Sequence, residues 1–461
     1  MTDQDFLFFA KARRAALLNQ IDDLVDEIKA CDAAIASLLP EGPEPPAPPE
    51  EPAPPVDEPP VDPAPTDPAP TDPAPTDPNP APTDPAPVPT PVPTPPIGGT
   101  TVAVNMADLV AKVSALNGPG TIGIKRGHYD NLVLSGIKKG GKVTIVAEDR
   151  REALFETISI SNSTDLRLEG LGTVPKNLPV LNPKVKNYGI TALPDTARIE
   201  VVEAFCRGHL DSKNHAYWTQ AEWNARALGG IFLQGPNSLI ERCYAEGVNF
   251  GFNLTGDGST LTGGYVFGAS GDGLRAAADR LTITDFLGTD LIYKQDGNHP
   301  DLIQGFKGLG GGKIRGVYGF TGRRIAGIEW TVRPDNPLRW NDNLKRFGIM
   351  QGFGYHASGH KDLDLEDFWC LTPVAHGMHI GGVQNLRGRR WTVLNSDFGL
   401  PGYDTRFPKI NVGAGGVIDV ADTLAEGYGT QMLIQNRKDA SAADYPAQEP
   451  VWVAPIRAVA A

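Results

Sequence analysis

The chain has 461 residues, a formal net charge of −13 and four cysteines, and these bound its class before any motif is read. Cys31, Cys206, Cys243 and Cys370 lie far apart, with no C-x-x-C pair and no histidine at ligand spacing, so they read as buried thiols rather than a zinc site or disulfide framework. Glu41 to Pro96 holds eleven acidic residues and no Lys or Arg, and the remainder, near charge balance, offers no basic stripe to nucleic acid.

Met1-Thr2-Asp3-Gln4-Asp5 is acidic where a secretory signal would be basic, and no apolar run approaches the ~18 residues of a spanning helix. Neither export by the general pathway nor membrane insertion is expected. Residues 6 to 39 carry Leu17, Ile21, Leu24, Ile28, Cys31, Ile35 and Leu38 in a 3-4 spacing, a heptad seam with Ile at a and Leu or Cys at d. The narrow seam predicts a self-associating helix. Ile at a with Leu at d suits two strands, and the body behind it can impose three. Changing both Ile21 and Ile28 to Asp puts unpaired charge in the seam and should dissociate the assembly in sedimentation; an unchanged assembly would place association in the body instead.

From Pro40 to Pro96, proline stands at nearly every second or third place, with Pro-Ala-Pro-Thr-Asp units from Pro63 to Asp84. Such a chain falls into polyproline II, and at ~3.1 Å per residue these roughly 57 residues reach about 170 Å, a spacer.

The body predicted from 98 to 425 is organised by a period. Runs beginning at Leu239, Leu261, Leu281, Ile314, Leu363 and Leu386 recur, at intervals of 22 residues from Leu239 to Leu261, 20 to Leu281 and 23 from Leu363 to Leu386. A second family lies between them: Gly230–Gln234, Gly251–Leu254, Gly273–Ala276, Leu302–Gly305 and Gly348–Gln351. Short strands at a fixed period, joined by tight turns, predict an all-β parallel β-helix, each coil pairing with its neighbours. A sandwich of antiparallel strands would need hairpin turns at half this spacing. Residues 426 to 461 are left as a cap or tail, and Trp369 and Trp391, in ladder positions, are expected in the core.

The amphipathic stretch Met106–Leu116, stopped by Asn117-Gly118-Pro119-Gly120, precedes "GTIGIKRGHYDNLVLSG" and "KVTIVAED". This resembles the capping helix and first coils of right-handed parallel β-helix proteins of the pectate-lyase-like superfamily. That superfamily includes lyases, hydrolases, epimerases and binders, so the resemblance implies a fold and leaves activity open. The whole layout is similar to bacteriophage fibres and tailspikes. The resemblance implies a virion protein made in the host cytoplasm, a homotrimer, attachment to other virion proteins through the N-terminal helix, and binding to cell-surface polysaccharide with or without its cleavage by a hydrolase or lyase activity. A non-catalytic structural or decoration fibre is the alternative. Two departures from that layout are read: no large virion-binding domain is recognisable before the stalk, and no clear trimerisation module after residue 420.

The polar irregularity in the ladder is Gly288 to Gln304, and its end, His299-x-Asp301-x-Ile303-Gln304, is similar to a pattern in glycan-active β-helices. Asp272 and Asp301 stand at the same point before strands of one phase. At ~4.8 Å per coil, acids one coil apart suit a retaining pair and two apart an inverting pair. Asp272, Asp290, Asp296, His299 and Asp301 are therefore the candidate catalytic groups, with Gln304 as a hydrogen-bonding neighbour; an Asp at a coil corner can equally cap a turn. A lyase would call on Lys294 and Arg315. The insertion Trp330, Arg333, Asp335, Arg339 and Trp340 is the second binding candidate, and Tyr217, Trp218 and Trp223 form another aromatic insertion; both fit sugar stacking or packing against a partner. No cofactor is implied, and His356, His360, His376 and His379 lack metal-ligand spacing.

Overall fold

The computed structural model describes residues 101–176, 188–292 and 300–305 and, beyond these, chiefly the strands and flanking residues of 321–326, 340–341, 346–347, 351–355, 362–372, 376–381, 383, 385–395, 409–412, 418–429, 434–441, 444 and 450–460. The heptad segment and proline linker lie outside the described residues.

Two sheets of parallel strands run along the molecule. The first takes up the runs that begin at Leu239, Leu261, Leu281, Leu363 and Leu386, and its members include Thr260–Ala269, Thr282–Leu291, Thr321–Ala326, Asp364–Leu371 and Leu386–Leu394. The second takes up the intervening runs, including Gly229–Leu233, Phe252–Leu254, Leu274–Ala276 and Asp301–Gly305. Each coil supplies one pass to each sheet, which is a parallel β-helix. Two expected runs lie wholly or mostly outside the described residues. Ile314–Tyr318 lies outside the described residues, and the strand in that register is Thr321–Ala326, whose Ile325 pairs with Phe286 before it and Phe368 after it. In the second sheet the strand after Asp301–Gly305 is Gln351–Tyr355, with Phe353 in line with lumen-facing Ile303; of the expected run Gly348–Gln351, residues 348–350 lie outside the described residues.

The lumen is built by like residues stacking coil upon coil. In the first sheet Ile122, Ile145, Leu168, Val201, Ile240, Leu261 and Ile283 follow one another in register. In the second, Leu132, Ile158, Ile190, Ile231, Phe252, Leu274, Ile303, Phe353, Met378 and Ile410 do the same. Fully burying each such side chain is worth about 1.5–3 kcal/mol, repeated at every coil. At Gly388 the column surrenders its place: a Cβ there would stand 2.1 Å from the Trp391 ring, which fills the lumen and donates its indole N–H to the Leu365 carbonyl at 2.8 Å. Trp391 is thus core, as expected.

The helix Met106–Ala115 buries Leu109 and Val113 at the first coil, and its N-terminus is capped by Asn105, whose side chain accepts the Asp108 amide at 2.9 Å. Sheet pairing continues past residue 425, where Gly427–Tyr428 and Gln435–Asp439 each add a strand. Midway along the first sheet the chain bends through a left-handed residue at Glu203, Arg242, Gly263, Asp285, Asp367, Arg390 and Asp422, with φ between +47° and +67°. Opposite charges on neighbouring coils meet at this bend, Arg242 with Glu203 at 2.9 Å and Arg390 with Asp367 at 2.5 Å. Repulsion between equivalent positions is thereby avoided.

The outer face of the first sheet departs from the polar rule that alternation predicts. Phe205, Tyr244, Tyr265 and Leu287 occupy one outward row, in register through successive coils. Trp369, expected in the core, is buried as expected, within this outer hydrophobic cluster. Val453, Ile456 and Val459, from the turn of helix Ala454–Arg457 and the residues after it, cover the row.

Candidate functional site

The structure separates the predicted acids into two groups. Asp272 and Asp301 stand in register one coil apart at the entry to the second sheet, since Leu274 pairs with Ile303. Both are fully buried. One Asp272 carboxylate oxygen accepts the Asp301 backbone N–H at 3.1 Å, and the other accepts Arg275 Nε at 2.5 Å. The Arg275 guanidinium lies 3.6 Å from the centroid of the Phe250 ring, so its charge is met by a carboxylate at one side and a π face at the other. Asp272 therefore performs the turn-capping role that the sequence allowed, and also neutralises a buried arginine.

Outward from this pair runs a row of hydrogen-bonding groups on the second sheet: Asn253, Arg275, Gln304, Gly354 and His379, one per coil. Asn253 is buried and donates to the Tyr188 hydroxyl at 3.2 Å, and burial raises the phenol above its ordinary value. Gln304 and His379 are half-buried, with Gly354 between them in the row. Burial lowers the His379 imidazole, which favours its neutral form, able to donate and accept. Only Gln304 and His379, the two half-buried side chains of the row, could meet a polyhydroxylated chain laid along the axis.

Asp290 lies elsewhere, at the end of the first sheet. Its carboxylate is 2.9 Å from His215 Nε2, and His215 Nδ1 faces the Ser212 carbonyl at 2.8 Å. Both ring nitrogens thus face oxygen atoms. The pair is 1% exposed on each side. It fastens an insertion comprising the 3-10 turn Ser212–Tyr217 and the helix Gln220–Arg226, the latter closed by a Thr219–Glu222 capping box. Gly247 and Gly268, on successive coils in line with Asp290, provide the floor. A Cβ on Gly268 would stand 2.2 Å from His215 Nε2, and one on Gly247 would stand 2.8 Å from Ser212 Cβ.

Trp218 and Trp223 are buried in this insertion against Ile292, which directly follows Asp290 and Leu291. Of the two uses the sequence left open for these indoles, packing is the one they serve here, while Tyr217 is 62% exposed. Asp211 organises the outer surface, accepting from Trp218 Nε1 at 3.0 Å, Arg226 Nη1 at 2.7 Å and Asn214 at 2.6 Å. The Trp218 and Asn214 hydrogen bonds hold its carboxyl below the usual range.

Asp296 and His299 lie outside the described residues, as do Lys294, Arg315, Trp330, Arg333, Asp335 and Arg339. Trp340 is in a two-residue ladder, antiparallel to Arg346–Phe347, with Phe347 opposite. Sequence reasoning missed Arg275, Asn253 and His215. A lone arginine in the apolar run Gly273-Leu274-Arg275-Ala276-Ala277, three residues after an acid, was a usable signal; nothing local marks His215.

Parallel pairing along both sheets defines the chain as a β-helix solenoid protein. No family model matches it, and no curated protein does. Among solved structures it is similar to the PL6 family alginate lyase AlyGC, with 8% identity, TM-score 0.38 and coverage of 74% of this chain and 53% of that one. It is also similar to the Dettilon tailspike protein (11%, TM-score 0.39, 69% and 57%) and to the catalytic unit of a GH87 alpha-1,3-glucanase from Streptomyces thermodiastaticus (11%, 0.41, 75% and 69%). The chain thus spans about half the length of that lyase and of the tailspike.

Proposed function

We propose that this chain is a fibre or tailspike-type virion protein that binds cell-surface polysaccharide along the second sheet, with Gln304 and His379 as surface contacts and the Asp272–Asp301 pair beneath them. The observation that carries the reading is the outward row Arg275, Gln304, Gly354 and His379 beside two in-register carboxylates. The heptad seam, the proline spacer and the β-helix body support a virion fibre, with trimeric association through residues 6 to 39. Binding without cleavage is the stronger form, because Asp272 is committed to Arg275 and to the Asp301 amide. The coil spacing of the two acids favours the cleaving form.

Incubating the chain with a panel of purified bacterial capsules and lipopolysaccharides, following retention in affinity electrophoresis and chain length by gel filtration, tests both. If the site only binds, Asp301→Asn weakens retention. If it cleaves, the same change abolishes shortening and leaves retention intact. Full binding and any cleavage unchanged in Asp301→Asn would remove the site from the second sheet and redirect the search to Trp330–Trp340.

A further inference from the structure

The 3-10 turn Ser212–Tyr217 sorts its side chains by threes, because residues three apart eclipse one another in that geometry. One column, Ser212, His215 and Trp218, faces the solenoid and is 0%, 1% and 2% exposed. The column one residue earlier, Asp211, Asn214 and Tyr217, faces outward: Asp211 is half-buried, Asn214 is exposed and Tyr217 is 62% exposed. The inner column has its explanation in the His215–Asp290 contact and the packing of Trp218 against Trp223 and Ile292. Neither requires a large ring on the outer column.

The outer column is also held still. Asp211 accepts hydrogen bonds from Trp218, Arg226 and Asn214, so the carboxylate is fixed from three sides and the Asn214 amide is fixed by one N–H. An amide has a second N–H and a carbonyl oxygen to offer. A single exposed tyrosine needs no explanation. This one stands in line with an immobilised amide and carboxylate, and that set suits a sugar, which presents C–H groups to an aromatic ring and vicinal hydroxyls to planar polar groups beside it. Because the turn already orders these groups, little further ordering opposes binding.

The insertion joins Phe205–Arg207 of the first sheet to Gly229–Leu233 of the second, so it stands on the corner of the solenoid that carries Asp272 and Asp301 two and three coils further on. At ~4.8 Å per coil that is roughly 10–15 Å along the axis, the span of a short oligosaccharide. We propose that Asp211, Asn214 and Tyr217 form a second glycan-contact site, which takes neighbouring sugars of a polysaccharide bound at the second sheet. The inference rests on the glycan-binding reading above and adds contacts that lie off the sheet.

The test compares the full chain with Tyr217→Ala, Tyr217→Phe and Asn214→Ala in affinity electrophoresis against the same polysaccharide panel, with Asp301→Asn run beside them. Tyr217→Ala should lower retention several-fold on the glycans that the unmodified chain retains, Asn214→Ala should lower it less, and Tyr217→Phe, which keeps the ring, should preserve most of it. Tryptophan emission and protease resistance of residues 209–227 check that the insertion stays docked. Unchanged retention in Tyr217→Ala overturns the site, and if sedimentation then shows a smaller assembly, Tyr217 belongs to a contact between copies of the chain. Should Tyr217→Ala undock the insertion, the unmodified chain decides: bound glycan should slow hydrogen exchange over residues 209–219, and unchanged exchange there refutes the proposal. Retention lost in Tyr217→Ala and intact in Asp301→Asn upholds the insertion site and defeats the second-sheet reading. The reverse defeats only the insertion site, and a panel retained by no form of the protein defeats both.

Discussion

Asp272→Ala is expected to destabilise the middle coils by about 3–5 kcal/mol, the usual cost of stripping one partner from a buried ion pair. The Asp272 and Arg275 side chains are 0% and 8% exposed, so solvent does little to soften the loss. Two groups are affected at once: the Arg275 guanidinium loses the carboxylate beside it, and the Asp301 amide loses its acceptor. Asp272→Asn should cost less, since an amide oxygen can still receive the Asp301 N–H. Replacing both partners, as Asp272→Leu with Arg275→Met, should recover much of the deficit, because the penalty comes from the charge left behind. Solenoids unfold in sections, so the measurement is hydrogen exchange at the strands Phe252–Leu254, Leu274–Ala276 and Asp301–Gly305, alongside urea denaturation. Unchanged protection in Asp272→Ala would show that the pair contributes nothing to the stack and would reopen Asp272 as a catalytic group.

The second large effect is expected at the clasp. Asp290→Ala leaves His215 buried between Trp223 and Phe267, whose ring centroids lie 5.9 and 4.9 Å from its own, and losing the buried hydrogen-bond partner costs about 1–3 kcal/mol. Here the chain has an escape that Arg275 lacks. The insertion can lift off the glycine floor and return His215 to water, so the penalty should appear as undocking of residues 209–227 rather than as loss of coils. Trp218 and Trp223 would then meet solvent, shifting fluorescence to the red and opening the insertion to protease. Gly268→Ala should reach the same state by another route, since its methyl would occupy the imidazole position and its φ of +76° is unfavourable for alanine. Because Ile292 joins the insertion to the segment that leads to Asp301, release should also weaken glycan retention. Unaltered Trp emission and protease resistance in both variants would show that the His215–Asp290 contact does not hold the insertion.

The amino-acid sequence by itself determined the solenoid. Its period, the inward Leu, Ile and Val at alternate positions, and the equivalence of Asp272 and Asp301 are all readable because each coil contacts its neighbours in a fixed register, so that spacing along the chain becomes position in space. The same regularity gave Trp391 as core. It gave Trp369 as core too, but not the outer cluster in which it is buried, because alternation says which side chains leave the lumen, not what lies over them. An outward residue acquires its surroundings from whichever segment folds back upon it. His215 and Asp290 are 75 residues apart and meet only because glycines on successive coils leave room for an insertion. Asp272 is buried because Arg275 turns back three residues to its carboxylate, and the outer cluster is completed where residues 453–459 settle against the strands Thr260–Ala269 and Thr282–Leu291. Those contacts are made once, outside any repeat, so only the tertiary structure could decide them.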